Sequence, residues 1–206
     1  MNPCFQQGFM RICYDSSILM GTLAYWILFG LNLFMLAFAT KLILELCRVG
    51  RVPPFIRTRV PVADEIAAAF GTLPEGSVVY DPGCGDGRVL FAIAKRNPGV
   101  RCVGIEIRLF PYMLAMSKKQ NHPEANIEFV RGNCFTQDLS VATHMYVYLY
   151  PKVMDSLLPK LMRELKPGTE LISLDFKFKK KQPERVIPLA SAERKKLGQT
   201  LYAYRF

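Results

Sequence analysis

The sequence predicts an α/β fold in which one transmembrane helix precedes a mostly parallel sheet that ends in a hairpin. Three features support this prediction: an uncharged segment near the N-terminus, alternating strand-like and helix-like segments, and a glycine-rich turn after the first strand. With 206 residues, the chain is long enough for one sizeable domain core and an appendage.

The appendage is apolar. Residues 18–39 contain no charged side chain, and a helix of that length spans roughly 33 Å, enough to cross a hydrocarbon layer of about 30 Å. A cleaved signal peptide is the alternative, because Ala37-Phe38-Ala39 has the small-x-small form of a cleavage site. The apolar run exceeds the ~7–15 residues of a signal core. We therefore expect a retained transmembrane helix over residues 18–40.

The charges beside this helix orient it. Five Lys and Arg side chains lie within residues 41–59, whereas only Arg11 precedes the span. Positive charge stays on the cytoplasmic side of a membrane, so we expect an extracytoplasmic N-terminus over residues 1–17. Residues 41–60 would form a basic juxtamembrane linker to a cytoplasmic domain over residues 61–206. The membrane would be a bacterial inner membrane or, alternatively, that of an organelle.

Strands and helices then alternate. A helix is expected over residues 62–70. Strands are expected over residues 78–81, 101–107, 127–130, 144–150 and 170–176, with helices over 89–96, 112–120 and 152–165, and a final hairpin over 185–189 and 199–206. Near-continuous apolar strands separated by helices are typical of a parallel sheet covered on both faces.

The turn after the first strand carries the most specific pattern. The strand ends in Asp81, and Gly83, Gly85 and Gly87 alternate before a helix begins. Glycine is needed where the backbone turns sharply and a ligand approaches without a Cβ in the way. A second acid, Glu106, ends the next strand 19 residues after Gly87, where a carboxylate can bind both hydroxyls of a ribose.

Together these residues resemble the S-adenosylmethionine site of a class I methyltransferase. The resemblance implies a Rossmann-like fold with seven strands, one of them antiparallel at the C-terminus. It also implies that Asp81 holds the amino group of the donor, directly or through water, or braces the glycine loop, while Glu106 holds the ribose and Asn133 the adenine. The residues expected to bind the cofactor are Asp81, Gly83, Cys84, Gly85, Asp86, Gly87, Glu106, Ile107, Asn133 and Cys134. Each carboxylate alone could instead be a surface or capping group.

A narrower resemblance covers residues 50–206. The chain resembles the membrane-anchored protein lysine methyltransferases that in eukaryotes modify the ATP synthase c-subunit and the adenine nucleotide translocase, together with their bacterial relatives. The matching pieces occur in order at residues 54–58, 80–89, 104–107, 131–135, 138–140, 147–151, 161–168, 173–176 and 201–204. The resemblance implies N-methylation of a lysine in a membrane or membrane-proximal protein.

The sequence departs from the pattern of these relatives in two places, one beside the expected adenine and one beside the expected acceptor. Asn133 stands where relatives often have an acid, although an amide can still donate to and accept from adenine. Residues 176–181 are lysine-rich where relatives tend to have a Phe-Pro segment. The substrate is therefore the least constrained part of this hypothesis. A methyltransferase acting on a lipid, quinone or other small apolar acceptor is one alternative, and a non-catalytic cofactor-binding scaffold is another.

The acceptor is expected beside the ends of the fourth and fifth strands. Tyr150 and Asp175 are the candidate catalytic residues there, because ligands bind at the carboxyl ends of strands. Tyr148 shares the strand parity of Tyr150, so both could face one side, although Tyr148 is equally compatible with an aromatic core. Asp175 could orient the acceptor amine or pair with a nearby lysine.

Composition limits the expected partners. The net charge of +10 has three possible causes: a solvated face, attraction to anionic lipid, or nucleic-acid binding. Because the expected transmembrane helix would hold the domain close to a bilayer, attraction to anionic lipid is the favoured cause. No segment resembles a nucleic-acid module, so we expect the bilayer and a protein substrate as partners. The six cysteines form no Cys-x-x-Cys pair and there are two histidines, so no metal site is expected.

Overall fold

The computed structural model describes residues 20–41, 43, 56–191, 193 and 197–206. The chain divides into two compact units, Met1–Pro53 and Pro54–Phe206. The second unit begins seven residues before the domain start that the sequence suggests at residue 61. The expected extracytoplasmic N-terminus over residues 1–17, and most of the expected linker over residues 41–60, lie outside the described residues.

The first unit contains helix α1, Met20–Lys41, with 22 residues and a mean hydropathy of 1.8. Two of its polar side chains bond to the helix itself. Asn32 Nδ2 donates to the Leu28 carbonyl at 2.9 Å, and Thr40 Oγ1 donates to the Leu36 and Ala37 carbonyls at 2.9 Å each. Such internal bonds satisfy polar groups that water cannot reach inside a bilayer. By length and composition, α1 can cross a membrane.

The second unit is built on a seven-stranded sheet. Its strands are β1 Val78–Pro82, β2 Arg101–Glu106, β3 Ile127–Arg131, β4 His144–Val147, β5 Glu170–Leu174, β6 Arg185–Pro188 and β7 Thr200–Arg205. The spatial order is β3-β2-β1-β4-β5-β7-β6. Strands β1 to β5 pair in parallel, and β7 is antiparallel to both of its neighbours. The predicted mostly parallel sheet with an antiparallel C-terminal strand is confirmed.

Helices cover both faces of this sheet: α2 Val60–Phe70, α3 Arg88–Arg96, α4 Leu109–Gln120 and α5 Pro151–Glu164. Successive strand residues point to opposite faces, so Val79 packs in the core beneath α2 and α3, whereas Tyr80 packs in the core beneath α5. Both cores are fully buried at their centres, for example at Ile66 and Leu161. Apolar burial on both faces explains the near-continuous apolar strands.

The strand order reverses between β1 and β4. From β1 the chain proceeds outward to β2 and β3, then returns to place β4 on the other side of β1. The connections on the two sides therefore leave a crevice at the carboxyl ends of β1 and β4, where open α/β sheets bind ligands. The glycine-rich turn follows β1 directly, so it lies at this crevice.

Two strands end at least two residues earlier than the sequence suggests. Strand β4 ends at Val147 and β5 at Leu174, rather than at residues 150 and 176. Tyr150 precedes Pro151 and is the N-cap of α5, with φ −55° and ψ 141°. The residue before a proline is restricted to such extended geometry, so the chain leaves the sheet there. The expected common strand parity of Tyr148 and Tyr150 is therefore wrong.

Candidate functional site

The glycine-rich turn is held tightly against β2. The main-chain N–H groups of Gly83 and Cys84 donate to the Ile105 carbonyl at 2.7 and 3.1 Å. The three glycines of the turn have φ values of 93°, 59° and 74°, a region that glycine enters without steric cost. A Cβ on Gly87 would lie 2.4 Å from Phe129 Cζ. Only glycine fits this close approach between the turn and the sheet.

Glu106 joins the glycine turn to the start of α4. Its side chain is buried, with the residue 5 % exposed. Glu106 Oε2 accepts from the Gly85 N–H at 2.9 Å, and Oε1 accepts from the Arg108 N–H at 2.8 Å. A carboxylate oxygen can accept more than one hydrogen bond, so ribose hydroxyls can still donate to it. The geometry is compatible with the predicted ribose contact, which stays a prediction.

Asp81 presents a buried carboxylate at the end of β1. The residue is 2 % exposed, and no described side chain or N–H group donates a hydrogen bond to it. Burial raises the pKa of Asp81 well above its ordinary value, and the negative charges of Glu106 and Asp86 act in the same direction. A buried unpaired carboxylate is costly unless a cation joins it. The site therefore fits a ligand with an ammonium group, as S-adenosylmethionine has.

Asp86 has a different environment, because cations surround it. Its Oδ2 atom lies 2.6 Å from Arg88 Nη2, 2.9 Å from Lys118 Nζ and 3.9 Å from Arg57 Nε. Burial acts to raise the pKa of this carboxyl, but the hydrogen bonds from Arg88 and Lys118 hold it below the ordinary range. Arg88 Nη1 also donates to the Thr58 carbonyl at 2.6 Å. Asp86 thus ties the segment before α2 to α4, and its predicted cofactor contact stays a prediction.

The expected adenine residue Asn133 and two further expected cofactor residues, Ile107 and Cys134, follow β2 and β3, which are neighbours in the sheet. Ile107 is an exposed apolar side chain directly after Glu106. Asn133 is exposed, and its Oδ1 atom accepts from the Phe135 N–H at 3.1 Å. Its amide NH₂ donates to none of the described residues. Cys134 is half-buried. The four residues of this group, Glu106 included, lie at or just after the adjacent carboxyl ends of β2 and β3, and their cofactor contacts stay predictions.

Aromatic side chains follow β4 and β5, where the acceptor is expected. The rings of Tyr148 and Phe176 stack with centroids 5.8 Å apart and an interplanar angle of 13°. The Tyr148 hydroxyl is buried and lacks a hydrogen-bond partner in the described structure. Burial, with a smaller contribution from the charge of Asp175, raises the pKa of Tyr148 to about 12. Tyr150, the catalytic candidate, is 54 % exposed and directly precedes α5.

Asp175 has a structural role that the sequence did not predict. Its Oδ2 atom accepts from the Gly198 N–H at 2.6 Å, and Oδ1 accepts from the Gln199 and Thr200 N–H groups at 2.8 and 3.3 Å. Its φ is +58°, which Asp tolerates better than most residues. The carboxylate therefore closes the loop before β7. These contacts differ from both expected roles, orienting an amine and pairing with a lysine.

Sequence reasoning missed two residues near Asp81. Tyr146 is 2 % exposed on β4, and Thr58 is 9 % exposed before α2. The two-residue period of a strand, counted back from Tyr148, gives Tyr146 as a residue on the same face. Thr58 ends the family-matching piece at residues 54–58, but that piece indicated no role for it, and the contact of its carbonyl with Arg88 comes from 30 positions along the chain. Among the residues that the structure describes, no group of three or more His, Cys, Asp and Glu could hold a metal ion.

Comparisons with known proteins identify the family to which the chain belongs. The ANTKMT methyltransferase domain matches residues 81–185. A protein-lysine N-methyltransferase from Saccharolobus islandicus is 35 % identical over 131 residues, covering 63 % of this chain and 80 % of that protein. An RNA methyltransferase from Salinibacter ruber, solved with S-adenosyl-L-homocysteine, is 33 % identical with a TM-score of 0.65, covering 73 % of this chain and 93 % of that one.

A third comparison concerns the fold alone. The C-terminal domain of precorrin-6Y C5,15-methyltransferase from Rhodobacter capsulatus is 16 % identical, with a TM-score of 0.58, covering 75 % of this chain and 94 % of that chain. The fold is thus the class I Rossmann-like methyltransferase fold. With the buried carboxylates and the glycine turn described above, the chain belongs to the ANTKMT methyltransferase domain family and is an S-adenosylmethionine-dependent methyltransferase.

Proposed function

We propose that this enzyme methylates the side-chain amine of a lysine in a membrane or membrane-proximal protein, while α1 anchors it to the membrane. The similarity to the protein-lysine N-methyltransferase of Saccharolobus islandicus carries the proposal, because it extends over four fifths of that protein. The composition of the acceptor end supports it.

A lysine must lose a proton before it can accept a methyl group, since only the free amine has a lone pair. Burial against apolar surface lowers the pKa of an ammonium. The stacked rings of Tyr148 and Phe176 offer such a surface. The nearby carboxylate of Asp175 is bound to three main-chain N–H groups, so the proposal does not use it as a base. Desolvation would favour the neutral amine.

The residues of the chain would then mainly position the two reactants. S-adenosylmethionine supplies a methyl group on a sulfonium, which is already activated for displacement. Asp81 would bind the ammonium of the donor and Glu106 its ribose, while the glycine turn lets the main chain approach. Holding donor and acceptor in line converts an encounter into an oriented reaction and is a large part of such catalysis. The stacked rings of Tyr148 and Phe176 would exclude water from the reacting groups.

The anchor is the second part of the proposal. Helix α1 has 22 residues, and the excess of cations after it favours a cytoplasmic catalytic domain. We propose residues 18–40 as a retained single-pass anchor, residues 41–60 as the linker and residues 61–206 as the methyltransferase domain. Intact-mass measurement of the membrane-extracted chain separates this from signal-peptide cleavage. An N-terminus at Thr40 would mean cleavage after Ala39.

RNA methylation is the second candidate function. The similarity to the Salinibacter ruber protein, an RNA methyltransferase by its description, favours it, as does the net charge of +10, because cations attract nucleic-acid phosphates. The absence of a nucleic-acid partner, expected from the sequence, therefore needs a direct test.

One labelling experiment distinguishes these functions. Full-length enzyme and methyl-labelled S-adenosylmethionine are incubated with total extract from cells lacking the enzyme, and protein, RNA and lipid fractions are counted. We expect label in a membrane protein, recovered as methyl-lysine after acid hydrolysis, and none with Glu106→Ala. Label in RNA supports the second candidate, and label in lipid supports a small apolar acceptor. Either result, or no label in any fraction, would contradict lysine methylation.

A further inference from the structure

A lysine-rich segment begins at the mouth of the acceptor side, at the carboxyl ends of β4 and β5. Phe176, which follows β5, stacks on Tyr148 there. The next residue is Lys177, and the side chains of Lys177, Lys179 and Lys180 are exposed. We call these three residues the lysine rim. Because consecutive Cα atoms lie about 3.8 Å apart, the first charge of the rim directly adjoins the aromatic stack.

The backbone of this segment is fixed, although its charges face solvent. Phe178 is 3 % exposed and packs edge-on against Tyr204, with ring centroids 5.0 Å apart. The Phe178 N–H donates to the Tyr204 hydroxyl at 3.2 Å, and the Lys179 N–H donates to Asp155 Oδ1 at 2.9 Å. The lysine rim is therefore a surface of defined shape rather than a loosely attached polybasic tail.

The positive charge of the rim is largely uncompensated. Among the residues that the structure describes, the one carboxylate in ion-pair contact with the rim is Asp155, whose Oδ2 atom lies 3.9 Å from Lys179 Nζ. Asp175, the nearest acid along the chain, is bound to three main-chain N–H groups. An acceptor lysine arrives as an ammonium, and like charges repel it. A substrate that carries negative charge beside its lysine overcomes this repulsion.

The aromatic residues around the rim pack inward or lie beneath a cation. Lys177 Nζ lies 5.6 Å from the centroid of the Tyr202 ring, and Phe176 and Phe178 pack against the core beneath α5. RNA-binding surfaces stack bases on exposed rings, and membrane-docking surfaces insert apolar side chains beside their cations. A surface of cations with inward-facing rings fits the carboxylates of a protein better than it fits either of these.

We propose that the lysine rim binds acidic residues that flank the target lysine of the protein substrate. An extended peptide advances about 3.3 Å per residue, so acidic residues within about three positions of the target reach the rim. The fixed cations then align the substrate across the mouth and select against lysines in basic surroundings. This inference rests on the proposed lysine methylation and names the class of lysine that the enzyme takes.

The test compares three synthetic peptides with one central lysine, in which the flanking residues on both sides are Glu, Gln or Arg. Full-length enzyme in detergent methylates each peptide with labelled S-adenosylmethionine, and kcat and KM are measured at low and high salt. The double variant Lys177→Gln/Lys180→Gln removes two charges of the rim. Lys95→Gln/Arg96→Gln is the matched control, because it removes two exposed cations from α3, which packs on the opposite core.

We expect the wild type to methylate the Glu peptide with a kcat/KM about 5- to 20-fold above that of the Gln peptide. The difference should lie mainly in KM and stay modest, since each exposed ion pair is weak. The Arg peptide should be the poorest substrate, and high salt should reduce the differences. The double variant should bring the Glu and Gln peptides within about 2-fold of each other with little change in kcat, whereas the control variant should keep the wild-type ratio.

Equal kcat/KM values for the Glu and Gln peptides, or a preference that the double variant keeps, would overturn the inference while lysine methylation stands. Poly-uridine and short-chain phosphatidylglycerol are measured as competitors. If the double variant keeps the peptide preference but loses affinity for either competitor, the rim binds RNA or lipid, and the inference is wrong. Absence of label in all three peptides would instead contradict the proposed lysine methylation.

Discussion

The two sides of the crevice use their polar groups differently. On the donor side, the Asp81 carboxylate is buried without a partner among the described residues, and Glu106 makes one hydrogen bond per oxygen. On the acceptor side, Asp175 is bound to three main-chain N–H groups. What remains there is the aromatic stack of Tyr148 and Phe176. In the proposed arrangement, the donor side keeps polar groups for a ligand, whereas the acceptor side uses its carboxylate for the fold.

This difference matches the needs of the two reactants. The donor is a large zwitterionic nucleoside, and directed hydrogen bonds can recognise each part of it. A lysine acceptor must instead become neutral, and apolar surroundings favour the neutral form. If the proposed function holds, the comparison teaches that one crevice can bind its first ligand by directed polar contacts and its second by excluding water.

The largest expected effect is the loss of stability when a glycine of the glycine-rich turn is replaced. We expect Gly87→Ala to lower the free energy of unfolding by about 3–4 kcal/mol, since the new Cβ meets Phe129 and the backbone is left-handed. Gly99→Ala is the control, with φ +91° but nothing within 4 Å of its Cβ, and should cost about 1–2 kcal/mol. Denaturant titration measures both. Equal losses would show that the approach to Phe129 is not tight.

The next largest effect concerns donor affinity. We expect Glu106→Ala to weaken S-adenosyl-L-homocysteine binding by about 3 kcal/mol, since it removes the predicted ribose contact and two bonds that fix the loop. Calorimetry measures this change. Glu128→Ala is the matched control, because Glu128 lies on the neighbouring strand and pairs with Arg101 at the surface. A similar affinity in both variants would remove the ribose assignment.

A smaller effect is expected at Asp86, and it depends on pH. The folded pKa of Asp86 lies below its ordinary value, so its contribution is fully present above the unfolded pKa near 3.9 and is lost as the pH falls further. We expect Asp86→Asn to cost about 2 kcal/mol of stability at pH 7, with the cost shrinking below about pH 4. Denaturant titration over this range measures the difference from the wild type, with the exposed Asp64→Asn as a control. A cost independent of pH would contradict the ion network.

The smallest effect separates structure from catalysis on the acceptor side. Asn tolerates the left-handed backbone and keeps one acceptor oxygen, so Asp175→Asn should cost about 1 kcal/mol of stability. Below the unfolding temperature, kcat for methyl transfer should change less than about 3-fold, because only a group that acts in the transition state changes kcat strongly. A much larger loss of kcat without loss of stability would make Asp175 catalytic, as the sequence suggested.

Local patterns were sufficient to place Asp81, the glycine-rich turn and Glu106 at one edge of the sheet, but not to identify Tyr146 or Thr58 beside them. Strand period, glycine spacing and the acid after β2 are contained in about 30 consecutive residues, from residue 78 to residue 107. Because parallel strands place their carboxyl ends at one edge, the approximate positions of Asp81 and Glu106 follow from the alternation of elements. The parallel sheet was predicted for the same reason, whereas the seven strands and the antiparallel C-terminal strand were implied by the resemblance to class I methyltransferases.

The acceptor side and the linker could not be predicted, because their contacts join distant residues. Asp175 binds Gly198, which is 23 positions away, and a loop that returns to a carboxylate leaves no periodic signal. Lys118 reaches Asp86 from 32 positions away. The early end of β4 is the exception, since Pro151 already restricts Tyr150 and could have shortened the expected strand.

The central claim is that the buried carboxylate of Asp81 is left without a partner among the described residues and binds the ammonium of the donor. Proton release on donor binding tests this claim most directly. Calorimetric titration of the full-length enzyme with S-adenosyl-L-homocysteine is repeated in buffers of different ionisation enthalpy between about pH 5 and 7, above the ordinary pKa of Asp. Burial raises the pKa of Asp81 in the free enzyme, and an incoming ammonium lowers it. We expect one ligand per chain and a proton release that grows as the pH falls and is absent in Asp81→Asn. Failure to bind, or binding without any release by the wild type, would contradict the account.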